Sequence, residues 1–370
     1  MNSSRQSPEG SYLPSVRGLG FRLAYVWCTP GSPVLRARTN GCQLIAIILL
    51  LMPLLGMIPS KAGETGERWA ILIIGTSGDP DLQNSYLKEV ADLHAILSGP
   101  LQFGKDRISV LFDDPSLKPD LIQSRSTFEN LKTVCRTLAG RVKKEDSVFV
   151  FIDGHGSYDG KIYKLNLVGP DPTAEDLAAF IYSIPAGRFI VVNATSCSGG
   201  SIPSLSQAGS ILITATKSGM EKNLTHMGRY FIDAFKDRAA DSDKNERISI
   251  MEAFHYLSLK VEDYYSREQN LQTEHPVLDD NGDARAQSKP SPENGDGLLA
   301  SIAYLDAGID DREHGALHPE HQELAREAQE IEKQIESLKY AKGQMPEAEY
   351  EQRLEELLLK LARINEKLAR

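Results

Sequence analysis

Five short apolar runs decide most of what this chain can fold into: Trp69–Ile74, Ile108–Phe112, Val148–Ile152, Phe189–Val192 and Ile211–Ala215. They are rich in β-branched and aromatic residues and show no polar alternation, which is the pattern of strands buried on both faces. Helical periodicity fills the gaps between them. Tyr86, Val90, Leu93 and Leu97 share one face, and Phe128, Leu131, Cys135, Leu138 and Val142 recur at 3-4-3-4 spacing. Thr173-Ala-Glu-Asp176 has the chemistry of a helix N-terminus, and that helix must stop before Pro185. Alternating strands and helices predict an α/β chain with a mainly parallel sheet covered on both faces. Asp159-Gly160 predicts a hairpin turn whose second strand runs from Tyr163 to Val168, and Leu298–Leu305 is expected to add a last strand.

Two of the strands end alike. Val148–Ile152 leads into Asp153-Gly-His155-Gly-Ser157, and Phe189–Val192 leads into Asn193-Ala-Thr-Ser-Cys197-Ser-Gly-Gly200. Small residues and glycines let backbone N–H groups and a ligand approach a neighbouring side chain. The carboxyl ends of strands are also where open α/β sheets bind ligands. A cysteine in such a place can be a small buried hydrophobe. A histidine in matching surroundings turns the balance toward a nucleophile and its base.

Composition narrows the rest. There are 51 acidic against 41 basic residues, a formal charge of −10, which excludes nucleic acid as the main partner because phosphate binding needs a basic face. Four cysteines are too few for a disulfide scaffold. Cys28 and Cys42 lie before an apolar segment expected to be removed, and Cys135 falls on the inner face of a helix, which leaves Cys197 as the reactive thiol.

With His preceding Cys, and Cys-x-Gly closing a strand, the chain resembles the cysteine peptidases of the caspase–hemoglobinase fold. Within them it is most similar to the legumain-like branch, in an exported, bacterial-type form. The resemblance covers roughly Trp69 to Tyr265. It implies a three-layer sandwich, hydrolysis of peptide bonds through an acyl-enzyme, a peptide or protein substrate, and no cofactor in catalysis. Carried over residue by residue, it makes Cys197 the nucleophile and His155 the general base, with the backbone N–H groups of Gly156 and Cys197 as the oxyanion hole. Substrate pockets in that family lie beside the strand after the nucleophile, which points to Thr216 and Ser218. One departure matters. Legumains carry an Arg-His pair shortly after the first strand to select asparagine, whereas Asp79–Asp92 has Lys88 as its only basic residue. Asparagine selectivity is not expected, and the third catalytic residue has no candidate. The rival reading is an inactive exported scaffold that keeps the fold and acts through calcium and coiled-coil contacts.

A second constellation is of another kind. Asp241–Glu252 fits the twelve-residue calcium loop, with oxygen ligands at Asp241, Asp243, Asn245, Ser249 and Glu252 and the Arg247 carbonyl at the seventh position. Glu246 stands where that loop takes glycine, and a left-handed non-glycine residue costs about 1–2 kcal/mol. The alternative is a solvated acidic turn between helices. Asp279–Asp283 lacks the ligand ladder and is expected to be a loop.

The ends complete the plan. Residues 1–62 read as a disordered extension and a secretory signal, with Arg36 and Arg38 before the apolar Leu44–Ile58 and Ser60-Lys-Ala62 after it. The protein is therefore expected in the periplasm or secreted, the alternative being a membrane anchor left uncleaved. Residues 63–310 form the peptidase domain, including the loop at 241–252. Over 317–370, Leu324, Ala328, Ile331, Ile335 and Leu338, then Tyr350, Leu354, Leu357, Leu361 and Ile364, predict an antiparallel helical hairpin with a coiled-coil seam. Such a seam offers a surface for self-association or a protein partner.

Overall fold

The computed structural model describes residues 66–306 and 319–368. The expected extension and signal segment at 1–62 lie outside the described residues. Among those described, no helix is long and apolar enough to cross a membrane.

The strands are β1 (Arg68–Ile74), β2 (Ile108–Phe112), β3 (Ser124–Arg125), β4 (Ser147–Asp153), β5 (Gly156–Tyr158), β6 (Tyr163–Leu165), β7 (Arg188–Asn193), β8 (Ser210–Thr214) and β9 (Val277–Asp279). Seven of them form one sheet in the order β3-β2-β1-β4-β7-β8-β9. Its neighbours are parallel except for β9, which runs against β8, while β5 and β6 form a separate antiparallel hairpin. The fold is α/β with a mostly parallel seven-stranded sheet.

The unbroken apolar runs have a simple cause. Along β1, Ala70, Leu72 and Ile74 enter one core while Trp69, Ile71 and Ile73 enter another. β4 does the same with Phe149 and Phe151 against Val148, Val150 and Ile152. Helices α1 (Pro80–Ser98), α2 (Phe128–Ala139), α3 (Ala174–Ile181), α4 (Ile202–Leu205), α5 (Met227–Ala234) and α6 (Ile250–Arg267) cover the two faces. α1, α5 and α6 close the first core with Val90, Leu93, Phe231 and Leu257; α2, α3 and α4 close the second with Leu131, Cys135, Leu177 and Leu205. Phe231 pins α5 by stacking 5.8 and 6.1 Å from the rings of Phe149 and Phe151.

One expectation is corrected. Leu298–Leu305 is not a strand: Leu298–Ser301 is a single helical turn, α7, and the last strand is β9. Asp280 explains the change, because its carboxylate accepts the N–H groups of Gly297 (2.7 Å) and Ala300 (2.8 Å) and so caps that turn. The C-terminal hairpin is present as α8 (Pro319–Tyr340) and α9 (Glu347–Leu368). Ala328, Ile331 and Ile335 pack on Ile364 with Leu354, Leu357 and Leu361 beside them, so the seam is largely used up within the hairpin. Tyr340, at the end of α8, packs on the first core and its hydroxyl donates to the Asp296 carbonyl.

Candidate active site

β4 and β7 are parallel neighbours with Ile152 opposite Asn193. Their tails therefore emerge side by side at the carboxyl edge of the sheet, next to the place between β1 and β4 where the chain's direction of growth reverses. Sheets of this kind bind ligands at such switch points. Two glycines let the tails meet. Gly154 turns the chain at a φ of 117°, a region closed to most side chains. Gly156 presses so tightly on the other tail that a Cβ there would sit 2.3 Å from the Ser196 carbonyl oxygen. The Ser196 hydroxyl accepts the Gly156 N–H and donates to the Gly156 carbonyl, both at 3.1 Å.

Cys197 follows in left-handed backbone, φ 59° and ψ 5°. That conformation is costly for a side-chain-bearing residue, and the neighbours enforce it. The Cys197 N–H donates to the Glu221 carbonyl (2.8 Å) and its own carbonyl accepts from Gly200 (2.8 Å). The residue is 2% exposed. Burial pushes the thiol above its ordinary value, while the Lys222 charge and the Ser196 hydroxyl pull it down. His155 is half-buried. Among the described residues, no hydrogen bond joins its ring to the thiol.

The predicted oxyanion donors are placed close together, and both are engaged: Gly156 N–H on Ser196, Cys197 N–H on Glu221. The pocket candidates both make hydrogen bonds within their own loop and to the turn after Cys197. Thr216 is fully buried; its hydroxyl accepts the Gly199 N–H (2.8 Å) and donates to the Ser218 carbonyl (3.1 Å), and its own N–H donates to Ser198 Oγ (3.1 Å). The Ser218 hydroxyl accepts the Met220 N–H (3.3 Å).

Several residues around the motif escape sequence reasoning. Asp153 ends β4 fully buried; burial and the Glu89 carboxyl beside it push its carboxyl well up. Glu221 pairs with His275 Nδ1 at 2.6 Å. Glu274, also fully buried, accepts the N–H groups of His226 and Met227 at the start of α5, and burial pushes it up to about 7. A polar chain runs near Cys197: Tyr163 hydroxyl to Thr195 Oγ1 (2.6 Å), Thr195 to Asn193 Oδ1 (2.8 Å), Asn193 Nδ2 to Ser201 Oγ (3.0 Å). The only sequence signal among them is Asp153, a carboxylate at a strand end beside a glycine.

Far from that edge, Asp241, Asp243 and Glu252 bring carboxylate oxygens within 4.8 Å of one another. Asp241 accepts the N–H groups of Asn245 (3.1 Å) and Glu246 (3.0 Å), and Asn245 Oδ1 accepts that of Arg247 (2.8 Å). Ser249 caps α6, with Glu252 returning the bond to its N–H (2.9 Å). The Arg247 side chain turns away, paired with Asp306 and lying 3.8 Å over the Tyr304 ring. Glu246 is left-handed, at a φ of 65°.

No family model and no curated protein matches the chain. Among solved structures the chain is similar to protein GSU0716 from Geobacter sulfurreducens, at 10% identity and a TM-score of 0.38, over 57% of this chain and 92% of that one.

Proposed function

We propose that the chain is a cysteine endopeptidase, built on the plan of the caspase–hemoglobinase peptidases, that cleaves peptide or protein substrates with Cys197 and His155. One observation carries the reading: two strand tails, each bearing one of the two residues, meet through Ser196 and Gly156 at 3.1 Å on the ligand-binding edge of the sheet. In this reading His155 takes the Cys197 proton, and the thiolate attacks the substrate carbonyl carbon. The C–N bond breaks as the imidazolium protonates the leaving amine. Water activated by the same imidazole then hydrolyses the thioester. The Gly156 and Cys197 N–H groups hold the oxyanion once the Ser196 hydroxyl and the Glu221 carbonyl release them, so the Ser196 side chain must rotate and the backbone at Glu221 must move for turnover.

A second reading, an inactive scaffold, is favoured by the 2% exposure of the thiol and by burial raising it. Labelling with a library of peptide acyloxymethyl ketones separates the two. A covalent adduct on Cys197, absent in Cys197→Ala and at least tenfold slower in His155→Ala, is the expected result. No adduct with any member of the library would leave the scaffold.

In the same proposal the 241–252 loop holds a structural calcium ion through Asp241, Asp243, Asn245, the Arg247 carbonyl, Ser249 and Glu252. The clustering of three carboxylates and the left-handed Glu246 support the fit. The chain is proposed to be exported, with the outer face of the C-terminal hairpin, where Leu358 and Leu359 are exposed, as the surface for self-association or a protein partner.

A further inference from the structure

We propose that Asn166 is the positioning residue of the site, its side-chain oxygen accepting the N–H of the His155 ring. The inference rests on the peptidase reading and supplies the third member that the motif pair lacks.

Three observations lead to it. The β5–β6 hairpin pairs Tyr158 with Tyr163, Ser157 with Lys164 and Gly156 with Leu165. One step further sets His155 opposite Asn166, and the Asn166 N–H donates to the His155 carbonyl at 3.0 Å, continuing the ladder. Residues directly opposed in an antiparallel pair carry their side chains on one face, with Cβ atoms about 5 Å apart. Second, Asn166 Oδ1 is buried and has no hydrogen-bond donor. A buried acceptor left without a donor is expensive and calls for a partner. Third, the residue opposite is in the complementary condition, since the His155 ring makes no hydrogen bond or ion pair with a described residue. A neutral imidazole carries one N–H donor, and rotation of two short side chains joins the two.

Asn166 is a firm platform for such a bond. Its carbonyl accepts the Thr76 N–H (3.0 Å) and hydroxyl (3.4 Å), and Gly75 packs close against it, tying the residue to the end of β1. The nearby carboxyls are committed elsewhere. Asp153 accepts the Gly154 N–H at 2.7 Å and hydrogen-bonds Glu89, and Glu221 is paired with His275. With one ring N–H fixed on Asn166, the other nitrogen presents its lone pair for the thiol, which is the tautomer a general base needs.

Nitrogen-15 NMR of the histidine rings in the full chain tests this, combined with the pH profile of Cys197 alkylation by iodoacetamide. In the wild type His155 should be a single neutral tautomer; Asn166→Ala should give a mixture and slow Cys197 alkylation at neutral pH at least fivefold. The near-isosteric Asn166→Asp should keep the single tautomer and raise the His155 pKa by about one unit or more through its charge. Unchanged tautomer ratio and titration in both variants would overturn the proposal. Its fate is separable from that of the peptidase reading. If His155→Ala leaves alkylation unchanged while Asn166→Ala still mixes the tautomers, the dyad falls and Asn166 keeps its place. If His155→Ala slows alkylation while the Asn166 variants alter nothing, the dyad stands and Asn166 has no part in it.

Discussion

Cys197 and Glu246 both hold left-handed backbone without being glycine, at φ 59° and 65°, and the loops around them are built in opposite ways. Around Cys197 the backbone is tied to buried groups: the Glu221 carbonyl, the Thr216 hydroxyl, the neighbouring Ser196. Around Glu246 it is tied to the exposed or half-buried carboxylates of Asp241 and Asp243. Each conformation costs on the order of 1–2 kcal/mol. In the first loop a packed interior enforces the strain and leaves no easy way to relax. In the second, like charges within 4.8 Å of one another hold the shape only as far as their repulsion is met by a cation, salt or protons. The loop around Cys197 is rigid by packing, the acidic loop by electrostatics.

The hardest blow to that contrast would come from Gly156→Ala. The added methyl would lie 2.3 Å from the Ser196 carbonyl oxygen and 2.6 Å from the Tyr163 ring. Neither neighbour is the free end of a flexible chain, since Tyr163 is 1% exposed and hydrogen-bonded to Thr195. The expected cost is about 3–4 kcal/mol in urea unfolding, with faster alkylation of Cys197 as the two tails part. Cys135 should stay protected, because burial on the α2 face pushes its thiol up to about 12. A loss below about 1 kcal/mol would mean that the loop around Cys197 shifts as readily as the acidic one.

How far the sequence reaches follows the same physics. β1, β2, β4, β7 and β8 are legible because both faces are buried, which forces apolar residues at every position. The helix faces of α1 and α2 are legible for the same reason, and so are the two strand ends with their glycines. β9 is not: three residues, Val-Leu-Asp, owe their extended form to pairing with β8 sixty-odd positions earlier. The same holds for Glu221 with His275 and for Glu274 under α5. These contacts join segments that only the fold brings together, so no spacing announces them. Thr216 marks a finer limit: its place after β8 can be read, but whether its hydroxyl faces a ligand or the Gly199 N–H cannot.

Acidity tests the Cys197 side next. Glu274 supports the Cys197 side, since His226 and Met227, whose N–H groups it holds, directly follow Thr225, which donates to the Ala194 carbonyl. Burial first, and then the charge of Glu221, raise this carboxyl from 4.5 to about 7, against the pull of the two N–H groups. The unfolded chain therefore loses this proton near 4.5 while the folded chain keeps it until about 7. The stabilisation is whole below the lower value and disappears as pH rises through the upper one, a change on the order of 3 kcal/mol. Asp153 and Glu89, also raised, act with the same sign. Thermal melts between about pH 4 and about pH 8 should show stability falling over this window, less steeply in Glu274→Gln. A wild-type melting temperature that rises there would break the assignment.

The smallest effect is the sharpest test of the contrast, because it separates strain from everything else. Glu246 is exposed, so replacing its side chain removes no packing. Its N–H, which donates to Asp241 Oδ2 at 3.0 Å, is kept in any variant. Glu246→Gly therefore removes the left-handed penalty and one negative charge from an acidic loop, at the expense of some unfolded-state entropy. The balance should be a gain of about 1 kcal/mol, read as a rise of a few degrees in melting temperature in a chelator. Millimolar calcium should then raise it further in Glu246→Gly than in the wild type, because the loop no longer spends strain on the shape that presents Asp241, Asp243 and Glu252 to one point. If Glu246→Gly destabilises the chelated protein, the left-handed turn costs nothing there, and the acidic loop is as firmly imposed as the one around Cys197. If it stabilises with calcium adding nothing to either protein, the loop is an acidic turn held by its own hydrogen bonds.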